Sequence, residues 1–265
     1  MDKLILGRYV PGSSLIHRLD PRSKLIAMFL FIVIVFWANN LVTNILLAAF
    51  TLFLILLSRV KLSFFLNGLR SMFVIILFTT AFQIFFNHQG KLVWQMGILQ
   101  VTDYGLGQAS LIFMRFVLII CFSTLLTLTT TPLSLADAVE SLLKPLKPLK
   151  IPVHEIGLML SLSLRFVPTL MDDTTRIMKA QQARGVDFGQ GNLIQKVKSI
   201  VPILIPLFAS SFKRADALAI AMEARGYQGG DGRTKYRQLN WGWSDGLAIL
   251  TLLVVGCLLF LLKSS

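Results

Sequence analysis

The sequence predicts an all-α integral membrane protein, with about five transmembrane helices and a cytoplasmic region of one short and two long amphipathic helices. Three observations predict this class. Of 265 residues, 55% are hydrophobic and only 15% charged, whereas a soluble domain carries about 25% charged residues. Apolar runs recur at 24–37, 41–57, 71–86, 106–130 and 245–262. When those runs are threaded alternately through a bilayer, 23 of the 26 Lys and Arg fall on one side, the bias that places basic loops in the cytoplasm. The chain divides accordingly into 1–130 (an N-terminal segment and four spans), 131–240 (cytoplasmic helices) and 241–265 (a fifth span). The N-terminus is expected inside and the C-terminus outside.

The first span opens at Asp20-Pro21. Asp accepts hydrogen bonds as an N-cap, and Pro suits the first helical position because its missing N–H has no partner there anyway. Arg22 and Lys24 then mark a membrane boundary. Ala38-Asn39-Asn40 breaks the apolar run, and a second run ends at Ser58-Arg59. The pair reads as a tight hairpin whose arms are shorter than the ~20 residues of a usual span. Basic residues Arg59, Lys61 and Arg70 precede the third span. A polar connection over 87–105 leads to the fourth span, and Gly105 and Gly107 read as the loop entering it. Arg115 lies about nine residues into that span, roughly 13 Å from its outer end; it either snorkels outward or faces a partner. Trp241 and Trp243 introduce the last span and suit the membrane interface.

The segment 131–240 holds fifteen basic and nine acidic residues. That net charge of +6 is ordinary beside anionic lipid and modest for nucleic acid, so the +13 of the whole chain is chiefly topology. Residues 132–143 read as a short amphipathic helix, with Leu135, Ala138, Val139 and Leu142 on one face and Asp137, Glu140 and Ser141 on the other. Pro145, Pro148 and Pro152 then exclude a regular helix, and the alternation of Lys with Leu suits a strip on the membrane surface. Two long helices follow, over 153–184 and 193–225. The first carries Leu160, Val167 and Met171 on its apolar stripe and is expected to kink at Pro168. The second contains Pro202 and Pro206, then Phe208, Phe212 and a run of small residues. Among these, Ala215 and Ala219 keep helical spacing and suit close packing against the preceding helix. Both helices end in the same pattern, A-x-x-A-R-G, with Ala183-Arg184-Gly185 and Ala224-Arg225-Gly226 set 41 residues apart. Glycine ends a helix in the left-handed conformation without a Cβ penalty. Arginine complements the negative end of the helix dipole and offers a donor fork that fits carboxylates.

These residues resemble the transmembrane T component (EcfT) of energy-coupling factor transporters, importers of the ABC class. The stretch His17-Arg18-Leu19-Asp20-Pro21-Arg22-Ser23-Lys24-Leu25, the two Ala-Arg-Gly ends and the order of spans carry the resemblance across essentially the whole chain. It implies a non-catalytic coupling subunit in a bacterial cell membrane, taking part in vitamin or micronutrient uptake. Two cytoplasmic ABC ATPases of the EcfA type would receive Arg184 and Arg225 with their flanking Ala183, Gly185, Ala224 and Gly226. The long helices would act as crossed coupling helices, and Leu160, Val167, Met171, Phe208, Phe212, Ala215 and Ala219 would pack against each other or a membrane-embedded, substrate-binding S component. ATP and Mg would be bound by the partner ATPases and no cofactor by this chain.

No site chemistry is expected of the chain itself: no catalytic residue and no metal site. G-x-x-x-x-G-K-[ST] is missing, so no phosphate-binding P-loop is expected. His154-Glu155 begins like a zinc motif, but position 158 is Leu. His17, His88 and His154 are scattered, and Cys121 and Cys257 lie in apolar runs as small hydrophobes. A self-sufficient secondary transporter is the alternative; it predicts repeated halves and ionisable groups at mid-membrane, and Arg115 alone answers to that. An intramembrane enzyme would need buried acid or histidine pairs in the spans, which hold none.

Overall fold

The computed structural model describes residues 9–86, 91–96, 99–150, 152–188, 192–229 and 238–263. They form two compact units, 1–138 with 239–265, and 139–238.

The first unit is a helical bundle. A short α1 (Leu15–Arg18) precedes α2 (Pro21–Trp37), α3 (Leu41–Ser58), α4 (Leu62–Phe86), α5 (Asp103–Thr129) and α9 (Trp243–Lys263). Among the described residues, three helices are long and apolar enough to cross a membrane: α3, α5 and α9. A fourth is α4, if its two arms, bent by 58° between Leu62–Arg70 and Met72–Phe86, make one span. The remaining expected span, α2, has 17 residues, about 25 Å of rise against a hydrocarbon core of about 30 Å. Its Phe31 and Val35 are fully buried, so α2 is a central stave of the bundle. Phe31 stacks on Phe122 of α5 with centroids 4.2 Å apart, and Ile34, Leu47, Leu118, Leu252 and Leu259 complete this core. In lipid, such packing and internal hydrogen bonds hold helices together, because tails are as apolar as leucine.

Several sequence expectations change in detail. The connection before the fourth span contains an antiparallel hairpin, β1 (Leu92–Met96) with β2 (Leu99–Thr102). The fourth helix begins at Asp103, capped by the Thr102 hydroxyl, which accepts the Gly105 N–H at 3.0 Å. Gly105 and Gly107 therefore lie inside a helix, where the loop was expected. Cys121 is buried, but Cys257 faces out of the bundle. Arg115 has a partner within the bundle: its Nη2 donates to the Ala38 carbonyl at 3.2 Å, serving the C-terminus of α2, while its buried Nε has no hydrogen-bond partner among the described residues.

The N-terminal motif proves to be a joint between helices. The His17 ring bonds the Ser14 hydroxyl at 2.7 Å and the Val10 carbonyl at 3.0 Å. Asp20 caps α2 by accepting the Arg22 N–H at 2.8 Å. Arg22 pairs with Asp20 at 2.9 Å and donates to Leu239 O at 2.9 Å. Lys24, only 7% exposed, donates to Thr129 O at 3.0 Å and Thr130 Oγ1 at 3.3 Å, where α5 ends. Asp245, 2% exposed, accepts the Asp20 N–H and the Ser23 hydroxyl, each at 2.7 Å, and the Gly242 N–H at 2.8 Å. One carboxylate thus serves the N-termini of both α2 and α9.

The second unit contains α7 (Val153–Ala183) and α8 (Leu193–Ala224), preceded by a 3-10 helix (Lys144–Leu149). The proline-rich strip takes this tighter form, for which Pro145 sits in the first turn. Ahead of it, α6 (Pro132–Leu143) runs across the boundary between the units. Glu140, on the polar face of this amphipathic helix, is only 7% exposed. Its carboxylate lies 3.6 Å from His154 Nδ1 and fills the space over Gly157, where a Cβ would run into it.

Candidate functional site

The candidate site is the α7–α8 pair and its two tips. The helices run antiparallel, since successive contacts match later residues of α7 with earlier residues of α8. Phe166 and Asp173 meet Arg214, with the Asp173–Arg214 ion pair at 2.8 Å and the guanidinium 5.8 Å from the Phe166 ring centroid. Nearer the end of α7, Gln181 Nε2 reaches the Pro202 carbonyl at 3.5 Å. The chemistry of that contact follows from the prolines. Pro206 has no N–H to offer the carbonyl four residues back, so Pro202 O is left open on α8, and Gln181 is the side chain that reaches it. The last turn of α7 is thereby tied to the proline segment of α8. α7 itself continues through Pro168 as one helix.

Both tips have the same backbone. Gly185 adopts φ +87° and Gly226 φ +73°. At the first tip, Val186 N–H donates to Gln181 O at 3.0 Å and Gly185 N–H to Gln182 O at 3.0 Å. At the second, Tyr227 N–H donates to Met222 O at 3.0 Å and Gly226 N–H to Glu223 O at 2.8 Å. These pairs are the two bonds of the Schellman motif, which satisfies carbonyls left open at a helix end. Arg184 and Arg225 occupy the same place in it, as C-caps with φ/ψ of −88°/6° and −92°/10°. Both are exposed, and among the described residues neither takes part in an ion pair or side-chain hydrogen bond. The backbone thus closes each helix without using the arginine, and leaves the guanidinium free beside a negative dipole end. Because Gln181 touches Pro202, the Arg225 tip lies about 34 Å of helical rise away from that contact along α8.

The apolar residues read from the sequence lie largely open. Leu160 and Met171 are 37% and 41% exposed, and Phe208 and Phe212 are 60% and 69% exposed. Val167 is half-buried, while Ala215 and Ala219 are exposed. The alanines are therefore not buried in the α7–α8 seam, which includes a salt bridge, a cation–ring contact and the glutamine bond. Leu160, Met171, Phe208 and Phe212 thus leave apolar side-chain surface open on both helices. No group of three metal-ligating side chains occurs among the described residues. The Asp173–Arg214 pair, the Gln181–Pro202 bond and the Glu140–His154–Gly157 contact were not foreseen from the sequence. The last of these had a signal: a glycine, Gly157, inside an otherwise bulky helix start.

Comparison with known proteins gives consistent matches. The family described as CbiQ, cobalt transport protein, matches residues 12–236. The chain is 74% identical over 264 residues to the energy-coupling factor transporter transmembrane protein EcfT of Streptococcus equi subsp. equi (strain 4047), covering 100% of this chain and 98% of that protein. It is 68% identical to the protein of that name from Streptococcus thermophilus (strain ATCC BAA-250 / LMG 18311) and 55% identical to that of Bacillus subtilis (strain 168), each match covering 100% of both chains.

Proposed function

The chain belongs to the EcfT family of energy-coupling factor transporter transmembrane proteins, and from that membership we propose that it is the non-catalytic coupling subunit of an ATP-driven importer. Arg184 and Arg225, presented by Ala183–Gly185 and Ala224–Gly226, insert into carboxylate-lined grooves on two cytoplasmic ABC ATPases, which bind ATP and Mg. The open apolar surface of α7 and α8, with Leu160, Val167, Met171, Phe208, Phe212, Ala215 and Ala219, carries a membrane-embedded S component that selects a vitamin or other micronutrient. Motion of the ATPases shifts the two tips relative to each other, and the α7–α8 pair passes the shift to the S component. Residues 131–240 form the cytoplasmic coupling region, with the N-terminus inside and the C-terminus outside, as the placement of Lys and Arg suggests.

The observation that carries this reading is the duplicated tip: two arginines in the same backbone setting, exposed and unpaired, on successive helices. A secondary carrier gives these tips no purpose, and Arg115, its one mid-span ionisable group, is committed to a helix end. The test is charge reversal. Arg184→Glu with Arg225→Glu abolishes uptake and ATPase attachment, while the variant inserts in the membrane at the wild-type level. Wild-type uptake by the double variant contradicts the mechanism.

A further inference from the structure

The bundle unit contains a cavity of about 530 Å³ between α1, α2, α3, α5 and α9, within the usual range of small-molecule sites. The coupling reading assigns it no role. Its lining is sorted by depth. At one level lie Arg18, Ser23, Lys24, Thr129 and Ser244, where α2 and α9 begin and α5 ends. Deeper the lining is apolar, with Phe50 and Leu54 of α3, Phe122 of α5, and Ala248 and Leu252 of α9, apart from Thr251, whose hydroxyl is bonded to the Ala248 carbonyl. Thr129 to Phe122 and Ser244 to Leu252 each measure about 10–12 Å along their helices. The cavity is therefore an apolar slot running parallel to the helices, with a polar rim at the level of the helix ends.

The rim has an excess of positive charge. Asp20 is taken by Arg22, and Asp245 is surrounded by three donors. Lys24 is buried, and its ammonium is held by neutral carbonyl and hydroxyl oxygens. Arg18 is exposed, and no residue among those described pairs with its guanidinium. The cavity lining thus holds two cations, Arg18 and Lys24, and no carboxylate, and Arg18 is free to bind. The occupant that matches a vertical apolar slot with a cationic rim has a chain and an acidic head. We propose that this slot binds one acyl chain of an anionic phospholipid, with the phosphate on Arg18 in the field of buried Lys24.

The test uses the full chain in vesicles containing phosphatidylglycerol or phosphatidylcholine with a photoactivatable acyl chain at equal mole fraction, followed by peptide mapping. Labelling over 50–57 and 244–252 is expected to favour phosphatidylglycerol about fivefold, as one basic contact to an anionic lipid gives. Arg18→Gln brings the two lipids to parity. Leu54→Trp fills the slot and lowers labelling several-fold; Ala248→Leu fills it from the opposite wall should the first variant fail to insert. Equal labelling by both lipids in the unsubstituted chain overturns the proposal. So does an inserted slot-filling variant that labels as strongly, or the lack of any label on these two stretches, which is the outcome if protein occupies the slot. The lipid is the only probe, so a negative result leaves the ATPase-docking reading standing.

Discussion

Gly185 and Gly226 sit at φ +87° and +73°, a conformation that costs an L-residue with a Cβ about 1–2 kcal/mol. Gly185→Ala is therefore expected to loosen the last turn of α7 and weaken ATPase co-purification several-fold, although Arg184 is unchanged. Gly185→Asn, which tolerates the left-handed region, retains more of it. If Gly185→Ala binds the ATPases as tightly as the wild type, the rigid presentation of the arginine is unnecessary. Gly157 answers to a different constraint, since an added Cβ meets the Glu140 carboxylate. Gly157→Ala should cost about 1–2 kcal/mol, as small overpacking does, and displace Glu140 from His154. Pairing it with Glu140→Ala should recover part of the loss in thermal unfolding of the detergent-solubilised protein. The tips were legible because glycine and arginine repeat in one pattern. The Glu140 contact was not, because α6 has a polar face that looks solvated until a second helix is laid on it.

At the scale of elements, α2 and α5 cap one another. Lys24, near the start of α2, satisfies the carbonyl at the end of α5, and Arg115 of α5 satisfies the carbonyl at the end of α2. Open carbonyls are costly away from water, so each basic residue does for the neighbouring helix what water does in a soluble protein. Asp245 performs the matching task at the N-termini. Asp245→Ala leaves the Asp20 and Gly242 N–H groups without their acceptor, while the Ser23 hydroxyl keeps the Asp20 carbonyl at 2.8 Å. At about 1–3 kcal/mol per buried unsatisfied group, a loss of about 3 kcal/mol is expected, seen as a lowered melting temperature in detergent. An unchanged melting temperature would mean that α9 is held by apolar packing alone. Helix positions were readable from apolar runs, and the Asp20-Pro21 cap from its two residues. The bonds that tie Arg115, Lys24 and Asp245 to other helices were not, since Arg115–Ala38, Lys24–Thr129 and Asp20–Asp245 join residues at least 77 positions apart and no local pattern encodes the pairing. The β1–β2 hairpin escaped notice because its short strands lie in a stretch whose glycines and polar residues read as loop.

For the whole molecule, the chain combines a bundle closed by internal caps with a pair of helices that leaves its functional groups unused. The bundle spends its buried charges on its own helix ends. The α7–α8 unit keeps two arginines and large apolar side chains such as Phe208 and Phe212 open, as the account expects of a part completed by partners. Class and family were legible from composition, the apolar runs and the repeated tripeptide. The seam between the long helices was not, because alanine spacing fits a helix interface and an open surface equally well, and only the exposure of Ala215 and Ala219 separates them. The most direct measurement is affinity purification of the tagged chain from mild-detergent membranes, with every co-purifying polypeptide identified. The account predicts two P-loop ATPases and at least one small hydrophobic protein with the wild-type chain, and loss of the ATPases with Arg184→Glu and Arg225→Glu. A chain that purifies alone, yet transports substrate in liposomes without ATP, would contradict it.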